Sequence, residues 1–174
     1  MKIAFEKLMT PNSEIVRNLN KWANDPLLVP LIRRCRNKAD LEAQVLVTVD
    51  SLTKRLEHNF VYLIYVNDSC VGEMSFQIDS GLLHKKEPGT AWVGLSIGEA
   101  FARGKGLGMK AMDYLEKQIY DQGLRRIELG VFVFNTPAHN LYKKLGYQEI
   151  ARNEAFTYWQ GKMWPNICME KYLK

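Results

Sequence analysis

The fold is decided by residues 91 to 108, Ala91-Trp92-Val93-Gly94-Leu95-Ser96-Ile97-Gly98-Glu99-Ala100-Phe101-Ala102-Arg103-Gly104-Lys105-Gly106-Leu107-Gly108. This stretch is a strand-like run that ends in a basic, glycine-rich turn. The three glycines of the turn permit positive φ, so that successive N–H groups can point into one concavity. A helix beginning there would direct its positive end at the same place. The turn therefore either binds phosphate or only connects two elements.

The residues after the turn indicate a strand-helix-strand unit. Apolar residues recur at helical spacing at Met112, Leu115 and Ile119, and Gly123 is a suitable end for that helix. Residues 127 to 134 then alternate as a strand. We expect the strands at the two ends of residues 90 to 134 to be parallel neighbours joined by a right-handed connection. The turn would lie at the C-terminal end of the first strand, where ligand crevices form in such sheets.

The rest of the chain supplies further strands and helices, interrupted by one ambiguous segment, residues 27 to 38. Polar turn residues and hydrophobic periodicity predict the following elements. In chain order they are an edge strand (2–8), a helix from Ser13 to Asn24, a helix from its N-cap Asp40 through Glu57, a hairpin (60–66 and 70–79), a helix opened by Asn135-Thr136-Pro137 and ended by Gly146, and a final hairpin turning at Gln160-Gly161.

This order predicts one domain, residues 1–174, of the α/β (α+β) class. Its central sheet is expected to be mixed and mostly antiparallel, flanked by helices, with one parallel strand-helix-strand crossover. No internal repeat, low-complexity tract or linker interrupts the chain.

Composition narrows the classes of function. The net charge of +5 suits an anionic ligand, but the basic pairs are scattered and no basic run interleaved with aromatic residues favours nucleic acid. Cys35, Cys70 and Cys168 lack metal-ligand spacing, as do the histidines, so we expect no metal. No apolar run is long enough for a membrane span and no signal-peptide core is present, which predicts a cytoplasmic protein.

Two nucleotide-binding motifs do not fit the turn. No Lys-Ser or Lys-Thr pair follows the glycines, as a P-loop requires. The G-x-G-x-G spacing, on a strand central in the chain, also departs from the dinucleotide fingerprint. A mononucleotide kinase and a dehydrogenase are therefore disfavoured.

Two motifs resemble the GNAT superfamily of acyl-CoA-dependent N-acetyltransferases. The run from Arg103 to Gly108 fits the family signature R/Q-x-x-G-x-G/A. The segment from Asn135 to Tyr147, NTPAHNLYKKLGY, is similar to the family's N-x-x-A-x-x-L-Y-x-x-x-G-F, with Tyr in place of the last Phe. The resemblance covers residues 60 to 150, and the run from Trp22 to Pro26 is similar to the branch that includes ribosomal-protein N-terminal acetyltransferases.

The resemblance implies acetyl-CoA as the cofactor. The side chains of Arg103 and Lys105 would contact its pyrophosphate, and the strand before the turn would pair with its pantetheine arm, with the Ile97 N–H stabilising the thioester oxygen. The backbone groups implied are those of Ser96, Ile97 and Gly98 on the strand, and of Gly104, Lys105, Gly106, Leu107 and Gly108 in the turn. Asn135 either orients the cofactor or only caps a helix, and Asn140 either contacts the cofactor or is exposed.

The reaction implied is direct attack of a neutral amine on the acetyl carbonyl, followed by departure of the thiolate. Tyr142 occupies the family's general-acid position, and a phenol is protonated at neutral pH. The alternative is that Tyr142 is a half-buried core residue. A group must also accept the amine's proton, either a water chain or a carboxylate among Glu73, Glu99 and Asp79; of these we choose Glu73 because it lies within a strand next to the central one.

The resemblance implies that the acceptor is a primary amine of a small molecule or peptide, and its identity is left open. Specificity is expected in residues 24 to 58 and 152 to 166. The aromatic residues near the end of the chain either wall the acceptor site or pack in a core or homodimer face: Phe156, Tyr158, Trp159 and Trp164. A non-catalytic acyl-CoA-binding module is the alternative function.

Overall fold

Seven strands form one sheet in the computed structural model, which describes all 174 residues. They are β1 (Ile3–Lys7), β2 (Phe60–Val66), β3 (Ser69–Ile78), β4 (Thr90–Ile97), β5 (Arg126–Phe132), β6 (Gln148–Trp159) and β7 (Lys162–Tyr172). Their spatial order is β1-β2-β3-β4-β5-β7-β6, and only the β4–β5 pair is parallel. The predicted mixed sheet with one parallel crossover is confirmed.

Helices cover both faces of this sheet. They are α1 (Ser13–Ala23), α2 (Val29–Ile32), α3 (Lys38–Glu42), α4 (Val49–Leu56), α5 (Leu107–Asp121) and α6 (Thr136–Lys144). The larger apolar core contains Met112, Leu115 and Ile119 of α5, and the smaller one packs α1 and α4 against the opposite face of β2. None of the helices combines the length and apolar character needed to span a membrane.

The predicted single helix from Asp40 through Glu57 is wrong. Asn37, not Asp40, caps α3, and residues 43 to 48 form neither helix nor strand before α4 begins. Two side-chain features explain the break. Thr48 and Ser51 form a reciprocal capping box that starts a new helix. Asn20 of α1 and Asn24, which caps the C-terminus of α1, also bind both backbone groups of Val47 and Val45, respectively, which holds the segment out of a helix.

A buried ion-pair network joins β4, β5 and β7 at one end. Arg126 is 4% exposed and contacts Glu128 and Glu170 at 2.7 Å, and its Nη1 also donates to Thr90 Oγ1. Glu128 is fully buried and accepts hydrogen bonds from the His84 and Lys85 amides. Because each buried charge has a partner, the network is tolerated there and fixes the three strands at that end.

Candidate active site

The two parallel strands separate after a short paired stretch. Residues Thr90 to Trp92 of β4 pair with Arg126 to Glu128 of β5, and no further pairs follow. Beyond this point the strands bound a cleft of about 830 Å³. The predicted turn follows β4 at the open end of the separating strands.

One edge of β4 is left without a partner along the cleft. Thr90 O accepts from the Asp79 amide, and the β3–β4 register runs unbroken to Ile97. Because successive residues of a strand direct their backbone groups to opposite edges, the groups of Leu95 and Ile97 face the gap, and those of Ser96 face β3. The predicted strand contact is therefore available at the Ile97 N–H, whereas Ser96 faces the cleft region only with its side chain. Its Oγ is buried and makes no hydrogen bond.

The glycine turn presents a set of free amide donors. Gly104 and Gly106 have φ of +71° and +75°, and a Cβ at either position would meet no atom within 4 Å, so backbone conformation is what requires glycine there. The amides of residues 104 to 109 donate no hydrogen bond within the protein. They surround the N-terminus of the 15-residue helix α5, and the Lys105 side chain is exposed beside them. These donors and this charge fit a pyrophosphate.

The third glycine of the turn has a different role. A Cβ at Gly108 would lie 3.0 Å from Leu141 Cδ2, so its absence lets α5 approach α6 closely. Leu107 beside it is buried in the core. These two residues place the start of the helix against α6.

The Arg103 side chain lies on the end of β4. Its Nε donates to Ile97 O at 2.9 Å and one Nη donates to Gly98 O at 2.7 Å. These contacts fix the strand end that leads into the turn. The predicted contact of this guanidinium with phosphate stays a prediction.

A contact with α1 holds the same strand end from the other side. The Glu99 carboxylate accepts from Lys21 Nζ at 2.6 Å and from Trp22 Nε1 at 2.9 Å, and these bonds lower the pKa of Glu99. Gly98 is buried under the Trp22 ring. Glu99 is therefore committed to this contact and does not line the cleft.

Tyr142, on α6, lines the cleft and is 7% exposed. Its hydroxyl makes no hydrogen bond within the protein, and it is not sealed from solvent, because Ser96 Oγ is the sole fully buried side-chain polar atom without a partner. Burial raises the pKa of Tyr142 to about 12. The phenol is thus protonated at neutral pH and free to donate. Tyr142 also packs edge-on against Tyr147, so both alternatives for this residue, core packing and access to the site, are present together.

Glu73 lines the cleft from β3, directly opposite Ser96 in the sheet. Its two carboxylate oxygens accept from Arg55 Nη1 at 2.8 and 3.1 Å. Sequence reasoning missed Arg55, which belongs to α4, because no motif connects it with Glu73. Asp79 is occupied elsewhere, accepting from the Thr90 amide at 3.0 Å.

The two asparagines of the second motif lie at different places. Asn135 lines the cleft and also caps α6, its Oδ1 accepting from the Ala138 amide at 3.4 Å. Asn140 is exposed and does not line the cleft.

Three of the four aromatic residues near the end of the chain lie in two places, and Tyr158 does not line the cleft. Phe156 lines the cleft together with Phe132, with ring centroids 6.2 Å apart, and the Arg34 guanidinium stacks over Phe156 at 3.8 Å. Trp159 and Trp164 instead pack on Phe134 near the β6–β7 turn. Both regions in which specificity was expected contribute to the cleft, through Arg34 and Arg55 and through Asn153, Phe156 and Asn166.

Comparisons with known proteins agree with this geometry. A ribosomal-protein-alanine N-acetyltransferase from Brucella melitensis is 16% identical to this chain with a TM-score of 0.72, and the match covers 99% of this chain and 100% of that one. A spermidine N-acetyltransferase from Vibrio cholerae, in complex with CoA and spermine, is 13% identical with a TM-score of 0.73 and coverages of 98% and 95%. A Salmonella typhimurium protein described as an acetyltransferase, with its cofactor acetyl-CoA, is 17% identical with a TM-score of 0.74 and coverages of 99% and 94%. At these identities the likeness shows the fold. No protein of curated function has significant sequence similarity to the chain.

The sequence also matches a model of a protein family. The model of the acetyltransferase (GNAT) family matches residues 26–147, which include both motifs, the separating strands and Tyr142. The matched stretch is more than half of the chain. This protein therefore belongs to the GNAT family of acetyltransferases, whose cofactor is acetyl-CoA.

Proposed function

We propose that this protein is an N-acetyltransferase that moves an acetyl group from acetyl-CoA to a primary amine of a small molecule or peptide, within a ternary complex. The observation that carries the proposal is the unpaired edge of β4, which leads towards a turn of free amides and borders the cleft that Tyr142 also lines. A strand edge, a turn of free amides and an unbonded proton donor suit the pantetheine arm, the pyrophosphate and the departing thiolate of acetyl-CoA, respectively.

The turn and the strand edge would hold the cofactor. The amides of residues 104 to 109 and the Lys105 ammonium would bind pyrophosphate, and Leu95 would pair with the pantetheine arm through its backbone groups. When bound, acetyl-CoA supplies an acetyl group activated as a thioester. The Ile97 N–H would then stabilise the negative charge that develops on the carbonyl oxygen.

Two side chains would move protons. Tyr142 would give its phenolic proton to the departing thiolate, because it is protonated at neutral pH and has no competing hydrogen-bond partner. Glu73 would accept the proton of the attacking amine, directly or through water. It is the one carboxylate among the three candidates that lines the cleft, and its pairing with Arg55 holds it in place.

Thermal denaturation tests the cofactor, and turnover tests the reaction. Saturating acetyl-CoA should raise Tm, because a ligand that binds only the folded state stabilises it, whereas an oligonucleotide should leave Tm unchanged. CoA release should then be screened over a panel of primary amines and peptides, with the acetylated product identified by mass. Absence of a Tm shift would rule out the cofactor, and a Tm shift without release for any amine would favour the non-catalytic module.

The assembly is a separate expectation. Trp159 and Trp164 are occupied within the chain by their contacts with Phe134, so a homodimer through this hairpin stays a prediction. Light scattering after size-exclusion chromatography would give the mass directly.

A further inference from the structure

The β6–β7 wall of the cleft carries a polar corner that neither motif includes. Asn153 of β6 and Asn166 of β7 lie directly opposite one another in the sheet. Their amide nitrogens both point at Cys168 Sγ, at 3.5 and 3.7 Å. All three residues line the cleft. We refer to Asn153, Asn166 and Cys168 as the amide corner.

Asn166 is 4% exposed, yet its amide oxygen has no partner in the protein. It is not enclosed, since the sole fully buried and unbonded side-chain polar atom is Ser96 Oγ. Its amide oxygen and nitrogen lie 3.1 and 3.2 Å from where a Cβ of Gly130 would be, and the tip of Trp92 lies 3.3 Å from the same point. A buried acceptor left open toward a cleft costs free energy unless water or a ligand fills it.

The Cys168 thiol cannot donate a hydrogen bond to the amide oxygens of both asparagines. A thiol has one hydrogen, so in either orientation of the two side-chain amides Cys168 can donate to at most one oxygen. Burial raises the pKa of the Cys168 thiol, which keeps that hydrogen in place at neutral pH. At least one amide oxygen of the corner is therefore available to a donor in the cleft.

The surrounding charges restrict the donor. The charged side chains that line the cleft are Arg34, Arg55 and Glu73, and Glu73 is already paired with Arg55. A polycation would find no excess of carboxylates there. The remaining walls near the corner are aromatic, formed by Trp92, Phe132 and Phe156.

We infer that the amide oxygens of Asn166 and Asn153 bind the N–H groups of the acceptor amine, and that the acceptor is a primary monoamine with an aromatic or apolar body rather than a polyamine. This inference rests on the proposed function and names the acceptor class of the same site. Neutral amide oxygens accept from an uncharged amine without stabilising its protonated form as a carboxylate would. The corner would thus orient the amine and leave its lone pair free.

The first test is binding. In the presence of CoA, 2-phenylethylamine and spermidine should be titrated calorimetrically onto the wild-type protein, and 2-phenylethylamine should bind more tightly. Saturable binding of spermidine alone, or of neither amine, would overturn the inference. The acetyl-CoA Tm shift and CoA release with other amines would still stand in that event, so the two proposals fail separately.

The second test is substitution within the corner. Asn166→Ala should raise KM for 2-phenylethylamine about 10-fold, the loss expected for one hydrogen bond, with KM for acetyl-CoA unchanged. Asn166→Asp should restore amine binding and move the pH optimum upward, because the carboxylate holds the ammonium form that must lose its proton. Asn12→Ala is the matched control, since Asn12 caps α1 away from the cleft and should change neither KM.

Unchanged amine KM in folded Asn166→Ala, or an equal rise in both KM values, would show that Asn166 has only a structural role. An unmoved pH optimum in Asn166→Asp would contradict the placement of the amine at this oxygen.

Discussion

The Trp22 indole lies so close to Gly98 that a Cβ at position 98 would be 2.3 Å from its ring atoms Cδ2 and Cε2. The same indole donates to Glu99, the next residue along the chain. Helix α1 is therefore fixed to the end of β4 at the point where the strand leads into the glycine turn. The N-terminal helices, which carry no cofactor motif, thereby position the residues proposed to bind acetyl-CoA.

Gly98→Ala should lower the free energy of unfolding by about 1–3 kcal/mol, the cost typical of overpacking. The indole or the strand would have to move to admit the methyl group. Urea denaturation measures the loss, and Trp22→Leu in the Gly98→Ala background should return part of it. Gly94→Ala is the control on the same strand, because a Cβ there meets Ser75 Oγ at an ordinary 3.5 Å. Equal stability of the two alanine variants would contradict the contact.

Lys105 and Arg103 should affect cofactor affinity in different ways. Lys105→Ala should weaken acetyl-CoA binding by ~10-fold at low ionic strength and by less at high salt, because exposed charges are screened. Arg103→Ala should weaken binding by a factor that salt changes little, because its guanidinium holds the carbonyls of Ile97 and Gly98. Calorimetry over a range of salt concentrations separates the two effects. The same salt dependence for both variants would instead assign Arg103 to the phosphates.

Arg126→Ala should cost about 3–5 kcal/mol of stability, since it leaves the fully buried Glu128 without its cation. Thermal or urea denaturation measures this loss. Arg125→Ala is the neighbouring control, because Arg125 is exposed and stacks on Tyr120 at the surface. A comparable small loss for both variants would show that the network does not fix the closed end of the separating strands.

Local patterns in the sequence were sufficient to predict most of the strands and helices. The glycines and the helix cap Asn135 act through the nearest few residues, so their effects can be predicted without a structure. The helix at Asp40 could not be predicted correctly. Its periodicity was overridden by Asn20 and Asn24, which are distant in sequence and bind the backbone of Val47 and Val45 in place of helical hydrogen bonds.

The residues of the candidate site also differ in whether the sequence alone could predict them. The turn and Tyr142 belong to contiguous motifs, whereas Arg55 reaches Glu73, and Asn166 reaches the cleft, only through pairing of separate elements. The direction of the Arg103 side chain also could not be predicted from the sequence, because a basic residue beside a phosphate-binding turn can face either the ligand or the backbone. Residues that act through long-range contacts leave no local signal.

The proposed acetyl transfer depends most directly on the Tyr142 hydroxyl, and Tyr142→Phe tests this role through the steady-state rate of CoA release. The substitution removes the proton donor but keeps the ring, so kcat should fall by about 100-fold or more while the acetyl-CoA Tm shift is retained. Because burial raises the pKa of Tyr142 to about 12, the wild-type enzyme should show no loss of activity through this group as pH rises from neutrality to about 10. Turnover by Tyr142→Phe at the wild-type rate would contradict the proposed role of this hydroxyl.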